Sequence, residues 1–229
     1  GKQVVKLPLT VRDDPNLTRF QGRKCIGSYE YDDEGTRAKD ALLIERGVLR
    51  DFLTTRAQDR VGHKPNGHAR TKKHQRPISR MGVTIIDGGD VAVSLKDLRS
   101  ELIRLIREQR KPFGMIVYET SGGETDTTSY DFQGFSGEIS HAALVYPNGK
   151  EVLIRGVDFV GTPLQALNNI VGVSKERELQ NGYCGAESGF LPISTISPGL
   201  LISNLELQSK SEELVTPFIL PRPILTKDE

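Results

Sequence analysis

The sequence lacks tryptophan, has only two cysteines and contains no apolar run near the roughly 18 residues that a membrane helix requires. These features argue against a helical membrane protein. Cys25 and Cys184 lie far apart, so the chain is no disulfide scaffold, although a single bridge between them stays open. We find no signal peptide and expect a cytoplasmic protein in a reducing compartment.

A large charge of one sign is also missing. The 31 lysines and arginines nearly balance the 30 aspartates and glutamates and leave a net charge of +1. No overall field therefore draws the chain to nucleic acid or to a membrane surface. The contents of 36% hydrophobic and 27% charged residues are ordinary, and 229 residues are enough for a substantial core.

Turn signals between short apolar runs predict β-hairpins. Arg46-Gly47 and Asn148-Gly149, the latter the strongest short hairpin signal, each separate two such runs. The polar, glycine-containing segment 121–129 is predicted to be a loop. Residues 1–12 are predicted to contain a short extended piece with apolar residues at positions 4, 5, 7 and 9. The predicted strands are residues 41–45, 48–54, 82–87, 115–119, 139–146, 151–154, 191–196 and 200–207.

Two segments have the hydrophobic spacing of helices. The helix over residues 94–110 begins with a good serine N-cap and has its leucines on one face. Thr162-Pro163 predicts a second helix, which ends at Gly172 and has Leu164 and Ile170 on its inward face.

The order of these elements predicts the fold class. Hairpins dominate and strands do not alternate regularly with helices, so we predict an α+β fold that is mainly β. A sheet of this size usually curls or splits. We therefore expect a curved antiparallel sheet closing toward a barrel or sandwich, with two covering helices.

Two charged segments interrupt the predicted strands. Residues 30–34 hold four carboxylates, whose spacing fits no EF-hand calcium loop and favours a solvated turn. Residues 60–80 hold many basic side chains, including three histidines, and no acid. A solvated loop, a substrate-facing loop, an anion or nucleic-acid patch and a histidine metal cluster all stay open here. The lack of aromatic residues in this segment argues against nucleic acid.

Cys184 stands between glycines in the segment 181–189, which reads Asn-Gly-Tyr-Cys-Gly-Ala-Glu-Ser-Gly. Glycines allow backbone conformations that present a thiol to a metal or a substrate. The alternative is a small cysteine packed inside a loop, since free cysteine is among the most buried residue types. Local chemistry leaves both interpretations open.

Several short motifs occur together across the chain. They are residues 31–35 (Tyr-Asp-Asp-Glu-Gly), 43–49 (Leu-Ile-Glu-Arg-Gly-Val-Leu), 66–70 (Asn-Gly-His-Ala-Arg), 77–81 (Pro-Ile-Ser-Arg-Met), 155–163 (Arg-Gly-Val-Asp-Phe-Val-Gly-Thr-Pro) and 182–185 (Gly-Tyr-Cys-Gly). In this order the motifs resemble the TldD/PmbA family of metallopeptidases, long labelled modulators of DNA gyrase. The resemblance covers nearly the whole chain.

The resemblance implies a zinc site that is only partly present. In that family, zinc is held by two histidines of a His-Glu-x-x-x-His helix and by a cysteine from the later β-rich domain, which matches Cys184. Three protein ligands leave a fourth position for water, and the helix glutamate is the general base. No His-Glu pair occurs in this sequence. We therefore expect this chain alone to be inactive and to hold zinc loosely or not at all.

The resemblance also implies a domain plan. Residues 1–208 are expected to be the C-terminal β-rich domain, and residues 209–229 an extended, proline-containing tail. The domain with the metal-binding helix is expected upstream and is absent from this chain. The first residue is Gly1, not methionine, which agrees with that expectation.

The expected substrate is a peptide or an unfolded protein segment, and the expected partner is a homologous subunit in a homodimer or heterodimer. Gly67, Arg70 and Arg80 lie in the matching motifs and are predicted to bind substrate. The alternative function is a non-catalytic, peptide-binding partner subunit in which Cys184 is only packed. A third hypothesis is a nucleic-acid or gyrase-directed modulator that uses residues 60–80.

Overall fold

The computed structural model describes residues 1–57, 64–126 and 134–210. The strands are β1 (Thr10–Asp13), β2 (Arg19–Phe20), β3 (Arg23–Lys24), β4 (Ala41–Glu45), β5 (Val48–Leu49), β6 (Ala69–Arg70), β7 (Ile78–Ser79), β8 (Val83–Asp87), β9 (Gly114–Thr125), β10 (Phe135–Val145), β11 (Glu151–Ile154), β12 (Val157–Gly161), β13 (Ile170–Cys184), β14 (Leu191–Ile202) and β15 (Glu206–Ser209). The helices are α1 (Leu95–Glu108) and α2 (Pro163–Asn168), with a 3₁₀ turn at Gly89–Val91. The mainly β, α+β prediction is confirmed, and the sheets are not closed into a barrel.

A six-stranded sheet has the strand order β13-β14-β8-β1-β4-β5 and contains Cys184 at the end of β13. All its pairs are antiparallel except β14 and β8, which run parallel with Ile196 beside Ile85. The predicted antiparallel sheet thus contains one parallel pair. More than a hundred residues separate the two strands in the sequence, which leaves ample chain for the crossover that parallel pairing requires.

A five-stranded antiparallel sheet contains the predicted second hairpin. β10 pairs with β9 on one side and with β12 and β11 on the other, and β15 pairs with β12. Gly149 in the β10–β11 turn has a φ of 82°, and in the β4–β5 turn Arg46 and Gly47 both have positive φ. Positive φ at both central residues is what a two-residue type I′ hairpin requires, and the β4–β5 turn meets this requirement, whereas the longer β10–β11 connection has its positive φ at Gly149.

Helix α1 agrees with the sequence prediction. The Ser94 side chain accepts a hydrogen bond from the Asp97 amide, and Leu98 and Ile106 are buried against the sheets. Among the described residues, no helix is long and apolar enough to cross a membrane.

Three local predictions are wrong. Helix α2 ends at Asn168, Leu164 is 54% exposed instead of facing inward, and Ile170 belongs to β13. The segment predicted as a loop from residue 121 continues β9 to Thr125, and residues 127–129 of it lie outside the described residues. The predicted break between residues 196 and 200 is absent because β14 runs through it. β9 is largely exposed, whereas β14 is buried or half-buried along nearly its whole length, so neither strand has the alternation that identifies a half-buried strand.

Two apolar clusters hold the six-stranded sheet together. The first is formed by Val4, Val5, Leu9, Ile44, Ile170 and Val173. The second joins Cys25, Val83, Leu179 and Ile196, so it packs β8, β13 and β14 against the segment that contains Cys25. Burial of apolar surface contributes about 25 cal/mol per Å². The second cluster thus anchors β13, which ends at Cys184, and β14, which begins at the residue paired with Cys184.

Candidate functional site

Cys184 is the last residue of β13, where it pairs with Leu191 at the start of β14. The sequence placed it in a turn, but the turn begins only after it. The thiol is partly exposed and makes a weak polar contact of 3.9 Å to the Gly185 carbonyl oxygen. Tyr183 and Phe190 beside it are 69% and 70% exposed. The sulfur therefore lies at the surface edge of the sheet.

Arg80 connects this turn to another part of the chain. It is buried, with 5% of its surface exposed, and lies just after β7. Its guanidinium donates to the Cys184 carbonyl oxygen, to Ser188 Oγ at 2.9 Å and to the Gly189 carbonyl oxygen at 3.0 Å. One side chain thus satisfies three oxygen atoms around the Cys184 turn.

Arg70 makes a similar connection to the start of β14. Its guanidinium donates to the carbonyl oxygens of Met81 and Pro192, and it lies 4.8 Å from the centre of the Tyr29 ring. Burial lowers the pKa of Arg70 from its ordinary value, although an arginine still keeps its charge. The contact with Tyr29 is of the cation–π type. Arg70 therefore holds β14 against the segment that follows β7.

Gly67 lies where two backbone segments approach closely. Its φ is 77°, and an added Cβ would lie 2.5 Å from the Arg37 carbonyl oxygen and 2.6 Å from Ala38 Cα. The Gly67 carbonyl oxygen accepts a hydrogen bond from the Tyr29 hydroxyl at 3.1 Å. Only glycine fits this backbone without strain.

The three residues predicted to bind substrate therefore lie in one buried frame beside Cys184. All three contact other parts of this chain. Gly67 contacts Tyr29 and lies against Ala38, Arg70 contacts the backbone of β14, and Arg80 contacts Ser188. Their assignment to substrate binding stays a prediction.

A buried polar network supports this frame, and sequence reasoning did not find it. Asp13 and His68 are both fully buried, with His68 Nε2 3.2 Å from Asp13 Oδ1. His68 Nδ1 lies 2.9 Å from Asn66 Oδ1, an oxygen that also accepts from the Thr54 amide. Each ring nitrogen of His68 thus lies within hydrogen-bonding distance of a buried side-chain oxygen. The signal for this role was absent, because His68 stood in a run of basic residues.

The histidines that the structure describes do not form a metal cluster. His68 is buried in the network, His74 is exposed in the loop between β6 and β7, and His63 lies outside the described residues. Within residues 1–57, 64–126 and 134–210, no group of three or more His, Cys, Asp or Glu residues is arranged to hold a metal ion. The structure thus gives no support to the histidine-cluster alternative for the basic segment.

The acidic turn serves the same frame. Asp32 is buried, contrary to the solvated turn expected, and its carboxylate accepts from the amides of Glu34, Thr36 and Ala69. Asp33 accepts from the Thr71 amide at 2.6 Å. These carboxylates satisfy backbone donors, which ties the turn to β6.

The chemistry of Cys184 fits zinc as one ligand of several. A thiolate is among the donors that zinc prefers, and a partly exposed sulfur with no strong hydrogen bond is accessible to a metal. A zinc site needs at least two more protein ligands, and the described residues do not place them beside Cys184. Any complete site therefore requires ligands from elsewhere.

The two cysteines should differ sharply in reactivity. We expect iodoacetamide to modify Cys184 rapidly in the folded chain and to leave Cys25 unmodified, because Cys25 is fully buried and burial raises the pKa of its thiol. Peptide mapping by mass spectrometry measures both sites. Cys184→Ser should remove the fast reaction, and denaturant should expose Cys25. Rapid native modification of Cys25 would contradict the buried cluster.

Comparison with known proteins identifies the class of this domain. A family model described as the PmbA/TldA metallopeptidase C-terminal domain matches residues 1–209. A protein from Methanothermobacter thermautotrophicus named metalloprotease is 31% identical over 208 residues, covering 89% of this chain and 41% of its own. A protein from Saccharolobus solfataricus named zinc metalloprotease TldD homolog is 26% identical over 179 residues, covering 77% of this chain and 37% of its own.

Solved structures share the fold. TldE from Thermococcus kodakarensis superimposes with a TM-score of 0.61 at 18% identity, over 90% of this chain and 41% of that one. A putative modulator of a DNA gyrase from Thermotoga maritima gives 0.63 at 21% identity, over 91% and 41%. The match thus defines a metallopeptidase C-terminal domain. The chain belongs to the PmbA/TldD family and spans about two fifths of the length of these relatives.

Proposed function

We propose that this chain is the cysteine-donating part of a zinc metallopeptidase that acts on peptides or unfolded segments. The observation that carries the proposal is the partly exposed Cys184 thiol at the end of β13, in a turn that Arg80 fixes. The family of the chain and the names of its relatives support zinc and proteolysis. In a cytoplasmic, reducing compartment Cys184 would stay a thiol.

The remaining catalytic groups would come from a preceding segment of a longer protein. Bound zinc would supply Lewis acidity and activate water for attack on a peptide carbonyl. Cys184 would contribute one ligand from the edge of the six-stranded sheet, while two histidines and a general base would come from the preceding segment. This chain alone would then lack hydrolytic activity.

The free edge of β13 supports a way to hold substrate. Among the described residues, the part of β13 from Glu176 to Cys184 pairs only with β14, so its outer edge carries unpaired backbone groups. An extended peptide can add to such an edge as another strand. Backbone pairing accepts many sequences, which suits unfolded segments. The added strand would run toward Cys184, where the scissile bond must lie.

Zinc content in the longer protein tests the role of Cys184. We expect Cys184→Ala to lower zinc affinity at least about tenfold and to abolish peptide cleavage, because the site loses one of three protein ligands. Inductively coupled plasma mass spectrometry after dialysis against a competing chelator measures the zinc. Cys25→Ala is the matched control and should retain zinc, since Cys25 is buried in an apolar cluster.

The outcomes separate the two candidate functions. Unchanged zinc content in Cys184→Ala would refute the proposed role. A wild-type protein that binds an unfolded peptide, but neither binds zinc nor cleaves the peptide, would favour the non-catalytic partner subunit. Binding of peptide by this chain alone, lost when a proline replaces the exposed Tyr183, whose backbone groups face away from β14, would support β13 as the substrate edge.

A further inference from the structure

The contacts of Arg80 are concentrated on one feature, the turn that follows Cys184. Its guanidinium spans from the Cys184 carbonyl oxygen to Ser188 and Gly189, groups 104 to 109 residues away in the sequence. All three acceptors are neutral oxygens of the same turn. A buried guanidinium that binds backbone carbonyls contributes geometry, since its planar fork of donors fixes the positions of its acceptors.

The backbone of Arg80 is also held in place by a hydrogen bond. Its amide donates to the His68 carbonyl oxygen at 2.9 Å, which fixes it to the β6 side of the frame. The Lys72 amide donates to the Ser188 carbonyl oxygen at 2.8 Å, so the β6–β7 loop contacts the same turn from another side. Ser188 is fully buried between them. The turn is therefore fixed by contacts on two sides, and only its strand end with the sulfur is partly exposed.

The close fit at Gly189 shows how little freedom the turn has. Gly189 has a φ of 95°, and an added Cβ would lie 2.8 Å from Lys72 Cβ. The turn therefore lies close against the β6–β7 loop at a position that has no room for a side chain, and the Arg80 hydrogen bonds oppose movement away from that loop. The Cys184 carbonyl oxygen is held at the point where the strand enters the turn.

We infer that Arg80 is a positioning residue that orients the Cys184 thiol toward the metal, which rests on the proposed zinc role of Cys184. A ligand held within about 0.5 Å of its bound position needs little reorganisation when the metal enters. Groups that orient metal ligands typically change metal affinity about 10- to 100-fold when they are removed. Arg80 acts through the backbone of Cys184 and does not itself contact metal or substrate.

A graded series of variants in the longer protein tests this role. Arg80→Met removes all three contacts, Arg80→Lys retains one donor, and Ser188→Ala removes one acceptor. We expect the zinc dissociation constant, measured by chelator competition, to rise about 10- to 100-fold in Arg80→Met and by smaller factors in the other two. Arg76→Met is the matched control, because Arg76 is an exposed arginine of the same β6–β7 loop.

Cobalt substitution supplies a readout that stability alone does not move. The thiolate-to-cobalt charge-transfer absorption reports the geometry of the sulfur ligand. We expect it to weaken or shift in Arg80→Met, to recover partly in Arg80→Lys and to be unchanged in Arg76→Met. If Arg80→Met does not fold, the Arg80→Lys and Ser188→Ala proteins decide the question by the same absorption.

Two results would overturn the inference in distinguishable ways. Wild-type zinc affinity and absorption in all three variants, with zinc lost in Cys184→Ala, would remove the positioning role and leave the proposed function intact. Zinc retained in Cys184→Ala would remove both.

Discussion

Replacing Asp13 by alanine should lower the free energy of unfolding by about 3 to 5 kcal/mol, because several buried donors lose their acceptor at once and each such loss costs about 1 to 3 kcal/mol. Asp13 Oδ1 accepts from the amides of Gly82 and Val83 and faces His68 Nε2, and its Oδ2 accepts from the Thr84 hydroxyl. The alanine variant leaves these buried donors without a partner. Urea denaturation followed by circular dichroism measures the loss.

Two variants separate the contributions. Asp13→Asn keeps an oxygen acceptor but removes the charge, so we expect a smaller loss, of about 1 to 2 kcal/mol. Asp40→Ala is the matched control, because Asp40 forms an exposed ion pair with Arg12, and such pairs contribute about 1 kcal/mol or less. Equal losses in Asp13→Ala and Asp40→Ala would show that the buried network is not important for stability.

The contacts of Asp13 also connect it to the candidate site at Cys184. Asp13 ends β1 and holds the start of β8, whose partner β14 begins at the residue that pairs with Cys184. The backbone carbonyl oxygen of His68, in the same network, accepts a hydrogen bond from the Arg80 amide. A loosened network should therefore also loosen the Arg80 contacts. The motifs around Asn66 and Arg80 form the support of the cysteine turn.

Local signals were sufficient for the hairpins and for helix α1. A two-residue turn with positive φ and a serine N-cap each depend on neighbouring residues, so the sequence carries them directly. Strand β13 was missed because it is an edge strand with charged residues on its exposed face, and neither period 2 nor 3.6 is clear there. Cys184 consequently lay in a predicted loop instead of at a strand end.

The roles of His68 and Arg80 depend on partners far away in the sequence. His68 was grouped with a basic loop, but Asp13, 55 residues earlier, accounts for its burial. Arg80 was assigned to substrate, while its contacts lie more than 100 residues later. No spacing rule relates such pairs, because only the folded topology of β1, β8 and β14 brings them together. The family resemblance pointed to these segments, and the structure shows which contacts their side chains make, while the predicted substrate role of Arg80 stays a prediction.

Replacing Gly27 by alanine should destabilise the fold by about 3 kcal/mol, at the upper end of what overpacking usually costs. The added methyl would lie 2.1 Å from the Gly82 carbonyl oxygen and 2.6 Å from the Ser194 amide nitrogen. Those two groups form a 2.9 Å hydrogen bond that starts the parallel pairing of β8 and β14. The clash is with backbone, so no side-chain rotation relieves it.

Gly182→Ala is the matched control for this prediction. Gly182 lies in β13 two residues before Cys184, and an added Cβ meets no atom within 4 Å. We expect the control to be neutral or more stable by about 0.5 kcal/mol, because alanine restricts the unfolded chain. The Gly27 variant should also expose the neighbouring Cys25 to iodoacetamide under native conditions. Equal stability of the two variants, with Cys25 still protected, would show that the approach of residue 27 to β8 and β14 is looser than described.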